Sequence, residues 1–348
     1  METAMSAVVA GAGTRGRRAR QELPRPAAML RLAGRRLAWA APLVALLSLG
    51  VFALAAASPT DAASAFLGAN DEFTGGAARD HVERAVAGSH WLHAWWQWVT
   101  GLVAGDLGAS TSGRAPVADV VTARLPWTLL LMVAGLAVGA AVSVPLALAA
   151  ALRPHGIVAA ALTGGMWALS AVPAFLSAMV LMGLLSLALG WFPAGGLTDP
   201  GSPVTTAQVA RHLVLPVLAV ALSQLPWITL HLHRAMTVQL RTPATDAARL
   251  RGVAEWRVLL RHVLPGAAVP TLGIAGARLP EVVAGSVLVE EIFSWPGLGR
   301  ALVQAALAQD FALLATSTVL LTVLAILGGL LADLGLLAID PRTDPHAL

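Results

Sequence analysis

The chain contains no cysteine and no lysine, and each absence excludes a kind of chemistry. Without cysteine there can be no disulfide framework, no thiolate metal site and no cysteine nucleophile. Without lysine there can be no P-loop, because the lysine of that motif reaches the nucleotide phosphates. Any ATP hydrolysis that depends on a P-loop must therefore come from another polypeptide.

Charged residues of either sign are scarce. They make up 12% of the 348 residues, while hydrophobic residues make up 57%, and the mean hydropathy is +0.73. Soluble domains contain about a quarter charged residues, so this composition indicates a membrane protein. The net charge of +4 comes from arginine, and we interpret it as a sign of membrane topology rather than of nucleic-acid binding.

Six apolar runs are long enough to cross a bilayer as helices, which takes about 20 residues. They cover approximately residues 37–57, 127–152, 157–189, 213–232, 267–293 and 311–339. The third run is long enough to tilt, or to break near Val172 and Pro173, because a residue that precedes proline avoids the helical region. The expected fold class is an all-α membrane protein with about six transmembrane helices.

Arginine placement predicts the orientation of these helices. Eight arginines lie in the first 36 residues, and further arginines lie between the second and third runs and between the fourth and fifth. The positive-inside rule therefore places the N- and C-termini in the cytoplasm of a multi-pass protein of the cell inner membrane. A cleavable signal peptide is a competing interpretation, but the first apolar run is longer than the 7–15 residues typical of that signal.

These boundaries divide the chain into five segments. Residues 1–36 form a basic cytoplasmic tail that we expect to be disordered, 37–57 the first transmembrane helix, and 58–123 an extracytoplasmic loop. Residues 124–339 form a core of five transmembrane helices with a cytoplasmic loop at 240–265, and residues 340–348 form a cytoplasmic tail.

The charged stretch between the fourth and fifth runs has the pattern of two short helices. Thr242 suits an N-cap with Pro243 at the first helical position, and Gly252 suits the helix end. A second helix is expected from about Ala254 until Pro265 stops it. Such a segment can lie on anionic headgroups as an amphipathic hairpin, or form a compact knob that another protein grips.

This stretch resembles the cytoplasmic motif of the permease subunits of binding-protein-dependent ATP-binding cassette (ABC) importers. That motif is Glu-Ala-Ala, three residues, Gly, nine residues, Ile, any residue and Leu-Pro. The matching positions are Asp246, Ala247, Ala248, Gly252, His262, Leu264 and Pro265, with Asp246 in place of Glu and His262 in place of Ile. Other stretches resemble the dipeptide, oligopeptide and nickel branch of the family, namely 105–108, 124–129, 172–175, 189–196, 289–299 and 340–342.

The resemblance implies a permease subunit, not an enzyme, that moves peptides or a similar small solute across the membrane without a cofactor. Its implied partners are a second homologous permease subunit, two ATP-binding subunits and an extracytoplasmic solute-binding protein, with no nucleic acid. The implied ATPase-coupling loop, 242–265, includes Asp246, Ala247, Ala248, Arg249, Gly252, Glu255, Trp256, Arg257, His262, Leu264 and Pro265. The alternative is a secondary transporter driven by an ion gradient.

Ionisable residues inside the apolar runs are the remaining candidates, because such residues are costly in a membrane. Arg278 and Glu281 in the fifth run either line the translocation path or neutralise each other against a partner subunit, whereas Asp333 is expected to be structural. His231 and His233 lie on different helix faces, so we predict no metal site.

Four tryptophans at 91, 95, 96 and 98 leave two possibilities open for the long extracytoplasmic loop. They can pack as a small cap that contacts the binding protein. They can equally form an amphipathic helix at the membrane interface.

Overall fold

The structure, a computed structural model, describes residues 25–57, 91–110, 115–152 and 156–339. The first 24 residues of the predicted N-terminal tail, the predicted C-terminal tail at 340–348 and most of the predicted extracytoplasmic loop lie outside the described residues. In the part of the chain that the structure describes there is no strand, and only one isolated β-bridge joins Ala109 to Pro116. The helices are α1 Arg25–Ala57, α2 Trp91–Ala104, α3 Val117–Leu152, α4 Ile157–Ser170, α5 Ala174–Ala188, α6 Thr206–Gln239, α7 Pro243–Leu250, α8 Glu255–Ile292, α9 Leu298–Leu307 and α10 Phe311–Ile339.

Five of these helices, α1, α3, α6, α8 and α10, are long and apolar enough to cross a membrane, and α4 with α5 forms a bent sixth candidate. The all-α membrane fold is therefore confirmed. Several helices extend beyond their apolar runs; α6, for example, begins at Thr206 and ends at Gln239. Thr205 caps its start by accepting a hydrogen bond from the Gln208 amide at 3.3 Å. This polar cap satisfies one of the first amides of the helix, so the helix can begin before the apolar run.

Of the two alternatives for the third run, a tilt or a break near Val172 and Pro173, the structure shows the break. Helices α4 and α5 meet at an angle of 101°. Pro173 is the N-cap of α5 and has an extended backbone, and its carbonyl accepts a hydrogen bond from the Leu176 amide at 3.0 Å. A proline-centred start of a new helix thus explains the bend.

Helices α3 and α6 cross at two glycines of α3 spaced four residues apart. A Cβ on Gly135 would lie 2.4 Å from Cγ1 of Val220, and one on Gly139 would lie 3.4 Å from the carbonyl oxygen of Ala221. Small residues at this spacing let two membrane helices approach closely. The two glycines therefore set the distance between α3 and α6 in the bundle.

Helix α1 begins at Arg25, which lies inside the segment assigned above to the disordered tail. Its first turns are held against α10, since Leu32 is buried beside Leu330 and Leu337. Arg36 also donates a hydrogen bond to the carboxylate of Asp333. Packing against another helix thus extends α1 into a region whose composition alone indicated a tail.

Helix α2, which carries the tryptophans of the extracytoplasmic loop, packs against the outer half of α1. The indole Nε1 of Trp95 donates to Ser48 Oγ at 3.1 Å, and the ring of Trp98 lies 5.8 Å from that of Phe52. Two of the tryptophans are therefore used in packing within the chain, whereas Trp96 remains exposed.

Three of the stretches that carry the family resemblance, 124–129, 189–196 and 289–299, meet at the end of the bundle opposite residues 242–265. The indole of Trp295 donates to the Trp127 carbonyl at 3.1 Å, and the Leu298 amide donates to Thr128 Oγ1 at 2.8 Å. Residues 189–196 reach the same place, because the Gly196 amide donates to the Phe293 carbonyl at 2.8 Å. These contacts fix the short helix α9 across the end of α3.

Candidate functional site

The segment 242–265 forms a knob at the end of the bundle where α3 and α6 end and α8 begins. Helix α7 starts as predicted, with Thr242 at the N-cap and Pro243 in the first turn. The Thr242 side chain makes no cap hydrogen bond; it donates instead to the Gln239 carbonyl at 2.8 Å. Thr245 Oγ1 donates to the same carbonyl at 2.9 Å. The two threonines therefore fasten α7 to the end of α6.

Gly252 ends α7, as the sequence predicts. Its φ is +74°, in the left-handed region that glycine adopts without strain. The Gly252 amide donates to the Arg249 carbonyl at 2.9 Å, and the Val253 amide donates to the Ala248 carbonyl at 3.2 Å. This pair of bonds is a Schellman motif, which satisfies the last carbonyls of the helix and turns the chain sharply.

The second half of the knob differs from the prediction. Helix α8 begins at Glu255 and continues to Ile292, so Pro265 does not stop it. A π-helical turn at Leu259–Val263 comes directly before the proline. Since a π-turn shifts the hydrogen-bond pattern by one residue, we attribute the continuity to the room it leaves for the proline ring. The knob is thus continuous with the fifth span.

Arg249 ties the parts of the knob together. Its Nη2 and Nε donate to Oε1 and Oε2 of Glu255 at 2.6 and 3.1 Å, a bidentate arrangement. Its Nη1 donates to the Leu240 carbonyl at 3.3 Å and lies 3.6 Å from Asp246 Oδ1. The hydrogen bonds from Arg249 to Glu255 raise the pKa of the guanidinium. One side chain therefore connects α6, α7 and α8.

The inner face of the knob packs into the bundle. Ala248, Val258, Leu259 and Val263 are buried in a cluster with the ends of α3 and α6. Leu259 is buried, whereas Trp256 three residues before it and Leu260 directly after it are exposed. The π-turn places Val258 and Val263, which are five residues apart, on the same buried face.

The outer face of the knob gathers most of the residues of the implied coupling loop. Leu264 is partly buried, and the exposed members are Asp246, Ala247, Arg249, Gly252, Glu255, Trp256, Arg257, His262 and Pro265. Sequence reasoning missed Leu250, whose surface is 89% exposed. An apolar residue next to the C-terminal arginines of a short polar helix was the available signal. The outer face therefore combines exposed apolar side chains with arginines.

A second candidate lies far from the knob, in the membrane-spanning part of α8. Arg278 is at the midpoint of Leu264–Ile292, and it donates to Glu281 Oε2 one turn later at 2.5 Å. The side chains are 41% and 54% exposed, respectively, so the bundle of this chain does not bury them. A single charge at mid-membrane costs about 2.5–3.5 kcal/mol on insertion scales, and mutual pairing reduces that cost. The structure thus brings these two residues together, 13 positions or more beyond the knob.

No group of three or more His, Cys, Asp or Glu side chains that could hold a metal ion occurs among the described residues. The ring of His231 turns back on its own helix, where Nδ1 lies 2.8 Å from the Trp227 carbonyl.

Comparison with known proteins gives consistent matches. The family described as "Binding-protein-dependent transport system inner membrane component" matches residues 143–345. The oligopeptide transport system permease protein AppB of Bacillus subtilis is 34% identical over 249 residues, covering 71% of this chain and 79% of the relative. A probable peptide ABC transporter permease protein of Sinorhizobium fredii is 30% identical over 245 residues, covering 70% and 78%.

A similar fold occurs among solved structures. An inward-facing MetNI methionine ABC transporter chain aligns with a TM-score of 0.52 at 18% identity, covering 64% of this chain and 97% of the other. At that identity the likeness concerns the fold alone.

Proposed function

The chain belongs to the binding-protein-dependent transport system inner membrane components, and from this premise we propose that it moves peptides, with the knob at 242–265 as its ATPase-docking element. Family membership makes it a multi-pass permease subunit of an ABC importer in the inner membrane. ATP hydrolysis belongs to a separate subunit, and a binding protein delivers the solute. The alternative of a secondary transporter is therefore excluded.

The choice of peptides as the solute is supported by the relatives. Those from Bacillus subtilis, Brucella suis and Sinorhizobium fredii are named as oligopeptide or peptide permeases, and each alignment covers about 70% of this chain. The described residues also include the mid-membrane Arg278–Glu281 pair, which matches the two opposite charges of a peptide with free termini.

The knob suits docking because hydrogen bonds and an ion pair hold its parts together, while its outer face exposes apolar side chains. Gln239 accepts from two threonines, and Arg249 forms a bidentate pair with Glu255. The outer face exposes Leu250 and Trp256 next to arginines. Exposed apolar groups surrounded by charge are typical of a protein contact. In this proposal the knob and the two termini lie on the cytoplasmic side, where an ATPase subunit can reach the knob.

Nucleotide-driven closure of the ATPase subunits would then move the knob. Because α8 continues from the knob into the fifth span without a break, that movement reaches the middle of the membrane. The proposed assembly contains a second homologous permease subunit and two ATP-binding subunits, with a solute-binding protein on the opposite side. The other exposed residues of the implied loop, such as His262, belong to the docking surface in this proposal.

The test uses substitutions of exposed apolar residues on opposite sides of the protein. Leu250→Glu and Trp256→Glu should reduce peptide-stimulated ATP hydrolysis in the assembled complex by about tenfold, because a buried unpaired charge weakens an interface strongly. Leu307→Glu is the matched control, since that leucine is 81% exposed on the far end of the bundle. Unchanged coupling in both knob variants would refute the docking proposal.

A further inference from the structure

Two surfaces of the bundle differ in the kind of residue they expose. Helices α1 and α3 expose large apolar side chains, as expected of a surface that meets lipid: Leu37, Trp39, Leu43, Leu46 and Leu54 on α1, and Leu129, Leu130, Val133 and Val142 on α3. Around Arg278, helix α8 exposes the small residues Ala277, Pro280 and Ala284 with Glu281 among them, and the next large exposed apolar side chain is Leu288. The exposed face of α8 around Arg278 is therefore unlike the lipid-facing surfaces.

The opposite face of α8 packs against other helices of the same chain. A Cβ on Gly276 would lie 3.3 Å from the Gly329 carbonyl oxygen of α10, and Val282 and Val283 are buried in the core. The charged pair thus points away from the bundle, at a depth where lipid would leave both ions unsolvated. Both side chains are about half exposed in this chain alone, so the face is open to a solute or to a partner subunit.

We propose that Arg278 and Glu281 bind a zwitterionic solute, such as a short peptide with free termini, as it passes through the membrane. The inference rests on the proposed function as a peptide permease. The guanidinium of Arg278 takes the terminal carboxylate, a bidentate match that arginine makes with its planar fork. The carboxylate of Glu281 takes the terminal ammonium.

The arrangement allows an exchange of partners. In the solute-free state Arg278 donates to Glu281, so that neither charge is left unpaired. Side chains three apart on a helix have Cβ atoms about 5–6 Å from each other. An extended dipeptide spans about 7 Å, and the two long side chains can diverge to reach its ends. The solute therefore replaces one ion pair by two and is released when the original pair forms again.

Weak and reversible binding is what a translocation path needs. A site must attract the solute enough to admit it, yet release it on the other side. The internal partner supplies this balance, because Glu281 competes with the peptide carboxylate for Arg278 and Arg278 competes with the ammonium for Glu281. Such a site distinguishes zwitterions from solutes that carry one charge or none.

The experiment uses the complete transporter, with both permeases, the ATPase subunits and the binding protein, reconstituted in proteoliposomes. Uptake of dialanine, N-acetyl-dialanine and dialanine amide is measured for the wild type, Arg278→Gln and Glu281→Gln. Each peptide is supplied at a concentration that saturates the binding protein. Because the binding protein is the same throughout, its preference cancels when each variant is divided by the wild type for the same peptide.

Arg278→Gln is expected to lower dialanine uptake about tenfold while changing dialanine amide uptake less than twofold, because the amide offers no carboxylate to lose. Glu281→Gln is expected to lower dialanine uptake about tenfold and N-acetyl-dialanine uptake less than twofold. Arg36→Gln, which removes the α1–α10 ion pair, is the matched control. It should change the uptake of all three peptides by one common factor.

Two results would overturn the inference. One is an equal loss for all three peptides in both variants, and the other is failure of both variants to assemble, which indicates a pair that serves packing alone. Failure of the proposed function has a different signature, since the wild-type complex would then take up none of the three peptides while its binding protein and ATP are present.

Discussion

Arg36 donates a hydrogen bond to Asp333, which lies 297 positions later in the chain. Asp333 is buried, and a Cβ on Gly276 would lie 3.4 Å from its Oδ1. The carboxylate is thus placed where α1, α8 and α10 meet. Arg36, which the sequence indicates only as a marker of membrane topology, therefore pairs with Asp333 and joins the first helix to the core of the permease.

The first prediction concerns this pair. Arg36→Gln or Asp333→Asn should each lower the free energy of unfolding by about 1.5–3 kcal/mol, the range for hydrogen bonds to charged groups. The double variant should lose less than the sum of the two, because both changes remove the same interaction. Thermal unfolding of the purified complex in detergent measures these values, and strict additivity would contradict the pairing.

A second prediction concerns the crossing of α3 and α6. Gly135→Ala should destabilise the protein by about 1–3 kcal/mol, because its Cβ would lie 2.4 Å from Cγ1 of Val220. Gly164→Ala on α4 is the control, since nothing lies within 4 Å of its Cβ. That variant should be neutral or gain up to about 1 kcal/mol from better helix propensity. The comparison is made by thermal unfolding under identical conditions.

The third prediction concerns Glu290, whose buried carboxylate accepts from the Arg300 amide at 3.0 Å in the first turns of α9. Gly297→Ala should destabilise the extracytoplasmic end, because the new Cβ would lie 2.2 Å from Glu290 Oε2. Glu290→Ala should cost about 1–3 kcal/mol through the lost hydrogen bond.

Combining Gly297→Ala with Glu290→Ala should cost less than the two effects added, because removing the carboxylate removes the clash. Chymotrypsin sensitivity of the extracytoplasmic face and the melting temperature report the outcome. A double variant that loses the full sum would show that the two residues do not share this contact.

The fourth prediction concerns the turn inside the knob. Gly252→Val should lower peptide-stimulated ATP hydrolysis, because a left-handed backbone costs a β-branched residue about 1–2 kcal/mol and loosens the Schellman turn. Gly252→Asn should keep most of the activity, since asparagine tolerates this conformation and the space around the position is open. Equal activity in the two variants would show that the turn geometry does not matter for coupling.

Hydrophobic runs and prolines were sufficient to predict the spans. The run at 311–339 corresponds to α10, Phe311–Ile339, and the break at Val172 and Pro173 is the start of α5. These features are local, and each follows from a stretch of about 20 residues or from one restricted backbone angle. The start of α7 at Pro243 and its end at Gly252 are local for the same reason.

Features that depend on distant residues were not predicted. The partner of Asp333 cannot be identified from its neighbours in sequence. Pro265 was predicted to end a helix, because the π-turn before it has no recognisable local sequence pattern. Glu290 lies within the fifth apolar run but was not singled out there, and the structure buries it against α9. The Gly135–Gly139 spacing was a usable signal for helix packing, since small residues four apart are common at membrane helix crossings.

The continuity of α8 gives it the properties of a lever arm. From Trp256 to Arg278 the helix rises about 33 Å. A tilt of only about 5° about the gripped end would displace Arg278 sideways by about 3 Å, comparable to the length of one hydrogen bond. A small stroke at the membrane surface is therefore large enough to make or break an ion pair at the centre of the bilayer.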